Sequence, residues 1–514
     1  MNLSDNNAKL WKDIFKSKLE NPNLDYTKLD RQLTIYTNWI VKFNGRGYLS
    51  ACTGFGKTIV ALLSIISLNH NDTNRKTIVI VPNTNLYNDW CDPNYGYIST
   101  LGLVNVKVYV VNTYTAAYSK YNCDLLILDE GHRYARTDAK KFSKVIGLTN
   151  FKFILILSAT LGDQERKFFE SYGIKEIDNI TLDEAQSKGW VSDYIVYNVG
   201  TFLSDADAEL EKKYTTAFNT CHAFFERDWH LARACNIKNE SYFNHPKYGK
   251  NTGKQFREYI ANKYNISEQE VRKTAGAWYM NMRMRKEFLH KSVNKTDIVE
   301  EILNYTNYKT IVFSELNEIG ANLKLRLGEE AVVYNSSLPT QCYDQKGNLV
   351  AESVKIEGQR AMYKAIGGRV YTLESLKNKF GKITRIGGNK LKKKIKDDFS
   401  DDKYRIMLTT KALDEGYDEP SIVMGIIHSG SSKELQLIQR FGRIIRSMSG
   451  KLAILVNVYV RGTKDEDWLK SRLKGVPPSK MRWIDDISQI THEINETLLN
   501  KDDDREDIEL VSIT

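Results

Sequence analysis

The sequence lacks the features of a membrane-spanning or disulfide-stabilised protein. No apolar run approaches the roughly 18 residues that a membrane-spanning helix requires. The longest runs, Leu125–Leu128 and Phe153–Leu157, have the length of buried strands. The first twenty residues contain no apolar stretch of the kind found in signal peptides. The six cysteines are scattered without a C-x-x-C pair, which is typical of a reducing compartment. We therefore expect a cytoplasmic protein.

One region contains cysteines and histidines at short spacing. They are Cys221, His222, His230, Cys235 and His245. Their spacing fits no common zinc template, so we interpret them as buried thiols and helix-surface residues and predict no resident metal there.

Length and charge set the first limits on organisation and partners. At roughly 150 residues per domain, 514 residues predict three units, or two with large insertions. The formal net charge is +10, but residues 340–396 contain 14 Lys or Arg against 4 Asp or Glu, whereas the tail after Asn500 is acidic. A basic segment in a balanced chain favours a polyanionic partner, although most charge runs are solvated surfaces.

Two series of short apolar runs alternate with helical patterns, which predicts crossover units and parallel sheets. The first series comprises Tyr48–Ala51, Thr77–Val81, Val106–Val110, Leu125–Leu128 and Phe153–Leu157, with helices at Lys57–Leu68 and Asn85–Trp90. The second comprises Thr310–Phe313, Ala331–Val333, Arg405–Leu408, Ile422–Ile427 and Leu452–Val456. The predicted fold class is therefore α/β, with two parallel-sheet domains.

Between the two series the strand pattern disappears and aromatic residues accumulate, which predicts a helical insertion. These aromatics form the core of the insertion or, alternatively, stack on exposed bases. The predicted organisation is an N-terminal extension (1–24), a first domain (25–200), the helical insertion (201–292), a second domain (293–470) that contains a basic insertion (340–388), and a C-terminal segment with an acidic tail (471–514).

A glycine-containing segment follows the first predicted strand and opens a helix. It reads Ala51-Cys52-Thr53-Gly54-Phe55-Gly56-Lys57-Thr58. Backbone N–H groups and the helix N-terminus can surround phosphates in such a loop, and glycine permits close approach. The pattern predicts that Lys57 contacts the β and γ phosphates and that the Thr58 hydroxyl binds Mg²⁺. The position of the first glycine in the generic pattern is Ala51.

Two carboxylates follow the buried run Leu125–Leu128, at the strand end where ligands bind in open α/β sheets. We predict that Asp129 holds the Mg²⁺ of bound ATP and that Glu130 polarises the attacking water. The alternative, a pair of acidic residues that caps a turn, does not explain the phosphate loop upstream.

Four segments resemble, in order, motifs I, II, III and VI of superfamily 2 DExH-box helicases and translocases. They are Lys57–Thr58, Asp129–His132, Ser158–Thr160 and Gln439–Arg446. The resemblance extends from Gln32 to Arg446 and implies two RecA-like domains with ATP and Mg²⁺ between them.

The resemblance also implies roles for single residues. Arg443 and Arg446, on or just past a predicted helix over 433–441, reach the γ phosphate from the second domain, and His132 belongs to the catalytic set. Gln32 reads adenine, and the other implied nucleotide contacts are Thr53, Gly54, Phe55, Gly56, Gly416, Asp418 and Gln439. The implied nucleic-acid contacts are Pro82, Asn83, Thr113 with its neighbour Tyr114, and Thr410.

The segments Val81–Trp90, Glu415–Asp418 and Gln439–Arg446 look most like the RecG, XPB and type III restriction branch, and within it like phage UvsW-like helicases. At position 131, glycine replaces the commoner alanine of the family. Abundant Asn, Lys, Ile and Tyr favour an AT-rich genome of viral origin.

The basic insertion separates two strands of the second domain where a short connection is expected. We suggest that Arg360, Lys364, Arg369, Lys377 and Lys379 contact phosphates there. The alternative is a solvated insertion without contacts.

The function expected from the sequence is an ATP-dependent DNA helicase or translocase. Three alternatives remain: an RNA helicase or RNA-stimulated ATPase, a nucleic-acid-binding scaffold with a vestigial nucleotide pocket, and the motor subunit of a restriction complex.

Overall fold

The structure is a computed structural model that describes residues 26–94, 96–116, 121–135, 144–159, 161–335, 338–354, 362–410, 419, 421–432, 440, 442, 444, 452–484 and 492. None of the helices in these ranges is long and apolar enough to cross a membrane.

The first domain is a six-stranded parallel sheet with the order β3-β2-β4-β5-β1-β6. Its strands are β1 (Arg46–Ala51), β2 (Thr77–Val81), β3 (Val106–Val110), β4 (Tyr121–Leu128), β5 (Thr149–Ser158) and β6 (Lys175–Ile180). Its helices are α1 (Tyr26–Val41), α2 (Lys57–Asn71), α3 (Thr84–Cys91), α4 (Tyr97–Leu101), α5 (Val111–Ala116), α6 (Val145–Leu148), α7 (Asp163–Glu170) and α8 (Leu182–Ser187). The central strands are apolar and buried because helices cover both faces of the sheet.

The second domain is a seven-stranded parallel sheet with the order β11-β17-β10-β18-β19-β7-β20. Its strands are β7 (Asp193–Thr201), β10 (Thr310–Phe313), β11 (Ala331–Tyr334), β17 (Ile406–Thr409), β18 (Met424–Ile427), β19 (Leu452–Val460) and β20 (Met481–Ile484). Its helices are α13 (Val293–Tyr305), α14 (Asn317–Leu327), α16 (Gly388–Ser400) and α17 (Lys464–Arg472).

Two predicted domain boundaries are corrected by the strand pairing. Strand β7, placed by the sequence in the first domain (25–200), pairs along its whole length with β19 of the second sheet. Strand β20 pairs with β7, so the segment predicted to follow the second domain (471–514) contributes a strand to it. The sequence analysis predicted neither segment as a strand, and β20 (Met481–Ile484) has only one buried residue, so no local pattern assigned them to the second sheet.

The insertion between the domains is mostly helical, as expected, but it also contains a hairpin that the sequence analysis did not predict. The helices are α9 (Asp205–Phe224), α10 (Trp229–Asn236), α11 (Gly253–Tyr264) and α12 (Glu268–His290), and the hairpin strands are β8 (Tyr242–His245) and β9 (Gly249–Thr252). Phe218, Phe225, Phe256 and Trp278 form its core, while Tyr242 and several other aromatics are exposed. The fully described range 161–335 contains no group of three or more His, Cys, Asp or Glu side chains that could hold a metal ion.

The basic insertion folds as a separate five-stranded antiparallel sheet with the order β15-β14-β13-β12-β16. Its elements are β12 (Gln341–Tyr343), β13 (Leu349–Val354), β14 (Met362–Ala365), β15 (Val370–Tyr371), α15 (Leu373–Phe380) and β16 (Thr384–Ile386). Cys342, Ala351, Tyr363 and Leu376 form the centre of its own small core.

The two parallel-sheet domains pack against each other. One continuous cluster of buried apolar side chains includes residues of both sheets, among them Leu155 and Phe313. Farther along the seam, Nζ of Lys393 on α16 lies 3.8 Å from the carboxylate of Asp92, directly after α3. The predicted nucleotide residues of the first domain follow β1 and β4, at the carboxyl edge of its sheet.

Candidate nucleotide site

The predicted phosphate loop connects β1 to α2 in the described structure. Gly54 and Gly56 have φ angles of 90° and 84°, which L-residues with side chains rarely adopt. The N-terminus of α2 begins at Lys57, whose Nζ donates a 3.0 Å hydrogen bond to the carbonyl of Ala51. The lysine therefore lies over the loop in which its ammonium would meet phosphate oxygens.

Helix α1 supports the loop from behind. Nε2 of Gln32, which is buried, donates to the carbonyl of Phe55 at 2.8 Å. Nζ of Lys28 donates to the carbonyls of Gly54 at 2.8 Å and Trp190 at 2.9 Å. The sequence analysis missed Lys28 and Trp190, because neither belongs to a motif. In the described structure Gln32 holds the loop backbone, so its implied adenine contact stays a prediction.

The two acidic residues after β4 lie beside this loop. Asp129 is buried, and its Oδ1 accepts the backbone N–H of Glu130 at 2.9 Å. Glu130 has φ 55° and ψ 56°, a left-handed conformation that is uncommon for a residue with a side chain. Such uncommon backbone conformations cluster at functional sites, where the surrounding structure compensates for their strain. Here the turn directs two successive carboxylates away from the strand axis.

The electrostatics of these carboxylates favour a bound cation. The pKa of Asp129 is raised to about 7, chiefly because burial penalises the charged form and also because Glu130 is negatively charged, whereas the positive charge of Lys57 opposes both effects. Oε2 of Glu130 is buried and has no hydrogen-bond partner among the described residues. A buried carboxyl that resists ionisation and a neighbouring orphan oxygen fit a site for Mg²⁺ and a water molecule.

His132 connects the acidic turn to β5. Its Nδ1 lies 3.4 Å from Oε2 of Glu130 and 3.4 Å from Oγ of Ser158. Its backbone N–H donates to the same Ser158 hydroxyl at 3.3 Å. Glycine at position 131 has a packing reason, because a Cβ there would lie 2.5 Å from Cγ2 of Ile156. The departure from the commoner alanine thus permits a close approach of the turn to β5.

A segment of the second domain reaches the phosphate loop. A Cβ added to Gly442 would lie only 2.2 Å from Cβ of Thr53. On the other side, Cδ1 of Ile444 would lie 1.9 Å from a Cβ added to Gly425 on β18, so the segment packs closely against its own sheet. Arg440 is anchored nearby through a 3.1 Å ion pair with Glu315. The two domains therefore meet at the loop that is predicted to bind phosphate.

Gly442→Ala is expected to force the two domains apart at this contact and to lower kcat/KM for ATP by about 10²-fold, the cost of misplacing catalytic groups by roughly 1 Å. The same substitution in a Thr53→Gly background should cost much less, because the Cβ that it meets is gone. A cycle of the two single variants and the double variant measures this coupling. Equal losses in both backgrounds would contradict the packing argument.

Several predicted residues lie outside the described part of the chain. They are Arg360, Gly416, Asp418, Gln439, Arg443 and Arg446, together with most of the predicted helix over 433–441 and Thr160 of the third motif. Their roles stay predictions.

The predicted nucleic-acid contacts differ in accessibility. Asn83 caps α3 by accepting the backbone N–H of Leu86 at 3.0 Å, and Thr113 is exposed on α5. Oγ1 of Thr410, just after β17, donates to Asn317 at 3.2 Å. Pro82 is buried, and its predicted contact with a strand stays a prediction. Tyr114 is also buried, and its hydroxyl lies 2.6 Å from the hydroxyl of Thr149, so its side chain packs in the core.

Comparison with known proteins agrees with this architecture. Residues 25–101 match the family model of the type III restriction enzyme res subunit, and residues 361–448 match the helicase conserved C-terminal domain. The chain is 22% identical over 435 residues to the DNA 3'-5' translocase XPB2 of Sulfurisphaera tokodaii, covering 82% of this chain and 79% of that protein.

Solved structures resemble the chain in fold. S. cerevisiae Dbp5 bound to RNA and ADP BeF3 superposes with a TM-score of 0.50 at 12% identity, and the match covers 92% of each chain. A variant of the same yeast protein in the same complex gives a TM-score of 0.51 at 10% identity and 92% coverage of both chains. The two parallel sheets are thus tandem RecA-like domains of the helicase type, as the sequence predicted.

Fold and site together define an ATP-driven nucleic-acid motor. The two matched family models and the aligned translocase support a superfamily 2 helicase of the type III restriction and XPB type, and an ATP-hydrolysing enzyme. The finer resemblance to phage UvsW-like helicases, and the viral origin, stay predictions.

Proposed function

We propose that this protein is an ATP-dependent DNA translocase or helicase. The single observation on which the proposed motor rests is the contact of Gly442 with Thr53, which brings the second domain to the phosphate loop of the first. The choice of DNA is supported by the relative named as a DNA translocase, which aligns with 82% of this chain. The cysteine pattern further supports a cytoplasmic site of action.

The proposed chemistry assigns one task to each group in the seam. Lys57 and the backbone N–H groups of the loop bind the β and γ phosphates of ATP. Thr58 and Asp129 would hold Mg²⁺, which would supply positive charge against the phosphates. Glu130 accepts a proton from the attacking water, and His132 and Ser158 hold the acidic turn against β5.

Coupling follows from the division of the site between domains. Residues of the first domain bind the triphosphate, whereas Arg443 and Arg446 of the second domain are proposed to stabilise the transferring phosphoryl group. Loss of the γ phosphate then weakens the link between the domains, so that hydrolysis opens the seam and moves the strand contacts of one domain relative to the other.

The nucleic acid that accelerates ATP turnover tests this proposal. ATPase rates measured in parallel with single-stranded DNA, duplex DNA and RNA, at one salt concentration, should show the largest stimulation with DNA. Stimulation by RNA alone would instead support an RNA helicase. The vestigial-pocket scaffold is supported if Lys57→Ala leaves the biological activity unchanged, and a restriction motor is supported by co-purification with a nuclease.

A further inference from the structure

We propose that the antiparallel insertion of the second domain is a phosphate-backbone binding module, and that Lys364, Arg369, Lys377 and Lys379 are its contact residues. These four residues are named the basic patch below. The proposal rests on the proposed function, because it identifies where the motor would hold its nucleic acid outside the two RecA-like domains.

The first observation is that the side chains of the basic patch form no ion pairs in the described part of the chain, although Glu352 lies opposite Lys364 in the β13–β14 ladder. All four side chains belong to exposed residues. In the described part of the chain, none of them has a carboxylate within ion-pair distance. Lysines on the adjacent helix α16 differ, since Lys394 pairs with Asp398 at 2.6 Å and Lys393 approaches Asp92 at 3.8 Å. A surface that serves only solubility ordinarily intersperses both signs.

The second observation places part of the patch around one phenol. Nζ of Lys379 donates to the hydroxyl of Tyr371 at 2.9 Å, and Lys364 lies opposite Val370 in the β14–β15 ladder. The hydrogen bond from Lys379, followed by the charges of Lys379 and Arg369, lowers the pKa of Tyr371. Lys379 on the helix and Arg369 on the turn thus produce a positive local field at Tyr371, whereas Lys364 lies on the opposite face of the β14–β15 pair.

The third observation is rigidity. The insertion has its own buried core, and α15 packs on the sheet through Leu376. Arg385 adds a 3.2 Å hydrogen bond from its guanidinium to the Tyr363 hydroxyl. Cations held on a folded platform lose less conformational entropy on binding than cations on a free loop. A solvated, contact-free insertion needs no such core.

The fourth observation is position. The insertion leaves the second sheet after β11 and returns through α16, so it departs from the carboxyl edge of the parallel strands, the edge at which Thr410 follows β17. At its return, Lys393 lies beside Asp92 at the end of α3, and α3 begins after Asn83. The insertion therefore leaves the second sheet at the edge where Thr410 lies, and the helix that follows it contacts the first domain.

These observations favour nucleic-acid phosphates over an acidic protein segment. The exposed apolar side chains beside the patch, Ile366 and Val370, are aliphatic and differ from the tryptophan and tyrosine anchors that dominate the energetics of protein interfaces. Phosphate contacts position a strand and read no sequence, which suits a translocating motor.

The test compares two full-length variants in nucleic-acid binding over a series of salt concentrations. The patch variant carries Lys364→Gln, Arg369→Gln, Lys377→Gln and Lys379→Gln. The control variant changes four exposed lysines of the first domain that also lack ion pairs among described residues, namely Lys42, Lys167, Lys175 and Lys188, to glutamine. Each lost phosphate contact should reduce the slope of log K against log salt by roughly 0.9 on duplex and roughly 0.7 on single strands.

We expect the patch variant to lose at least two phosphate contacts. Its slope of log K against log salt on single-stranded DNA should therefore be shallower by roughly 1.4, while the control variant keeps the original slope. A charge-conserving variant, Lys364→Arg with Lys377→Arg and Lys379→Arg, should also keep it, and it remains informative if the glutamine variant does not fold. Equal slopes for the patch variant and the unmodified protein overturn the inference and leave the motor intact. Absence of nucleic-acid binding by the unmodified protein overturns both.

Discussion

Replacement of Arg443 by alanine should lower kcat for ATP hydrolysis by about 10³- to 10⁵-fold, the effect of removing a charge-stabilising arginine in related NTPases. Arg443 itself lies outside the described residues, but its neighbours Gly442 and Ile444 are described. Gly442 meets Thr53 of the phosphate loop, and Ile444 packs on Gly425 of its own sheet. The chain is therefore fixed at the seam at Gly442 and Ile444, beside the loop that is predicted to bind phosphate.

The loss should fall on turnover more than on nucleotide affinity, because the arginine acts on charge that spreads over the transferring group. Single-turnover hydrolysis and equilibrium binding of ATP separate the two quantities. Arg326→Ala is a suitable control, since Arg326 pairs with Asp297 and Glu300 on the surface of the second domain. A kcat that stays within threefold of the unmodified value would remove Arg443 from its proposed role.

The parallel sheets could be predicted because their strands are unusually clear in the sequence. β2, β3 and β10 coincide with the apolar runs at Thr77–Val81, Val106–Val110 and Thr310–Phe313. Such runs are continuous because helices cover both faces of the sheet. A local pattern does not show which sheet a strand joins. β7 follows the first domain in sequence, but it pairs with β19 of the second domain. Pairing depends on tertiary contacts that a local pattern does not contain.

The antiparallel insertion was harder to predict for the opposite reason. Its strands are two to six residues long, and only one face of each is buried, so their apolar content is low. Charge was the one clear signal in this segment, and charge states nothing about topology. With fewer lysines, this segment would contain no feature from which a functional role could be predicted.

The candidate site shows a similar division. The loop and the acidic turn were predicted because a phosphate cradle and a pair of carboxylates require particular residues at fixed spacing. Lys28 and the contact of Gly442 with Thr53 were not, because their partners are distant in sequence and meet only after folding. The sequence also did not predict the hydrogen bond from Gln32 to the Phe55 carbonyl, and the adenine contact of Gln32 stays a prediction.

Glu130→Gln should preserve ATP binding and lower turnover by about 10²- to 10⁴-fold, the usual contribution of a general base. Glutamine retains the size of the side chain and its hydrogen-bonding amide, but it cannot accept the proton of the attacking water. The left-handed backbone at this position and the approach of His132 hold the group in place, so the substitution changes chemistry more than geometry. ATP should therefore accumulate in the closed seam.

A nearby carboxylate that has no assigned role provides the control. Glu170, at the exposed end of α7, is expected to tolerate the same change to glutamine without loss of turnover. Asp129→Asn should behave differently from Glu130→Gln, because loss of a metal ligand weakens the dependence of binding on Mg²⁺ whereas loss of the base does not. Retained turnover in Glu130→Gln would mean that another group activates the water, and the unpaired oxygen of Glu130 would then need a different explanation.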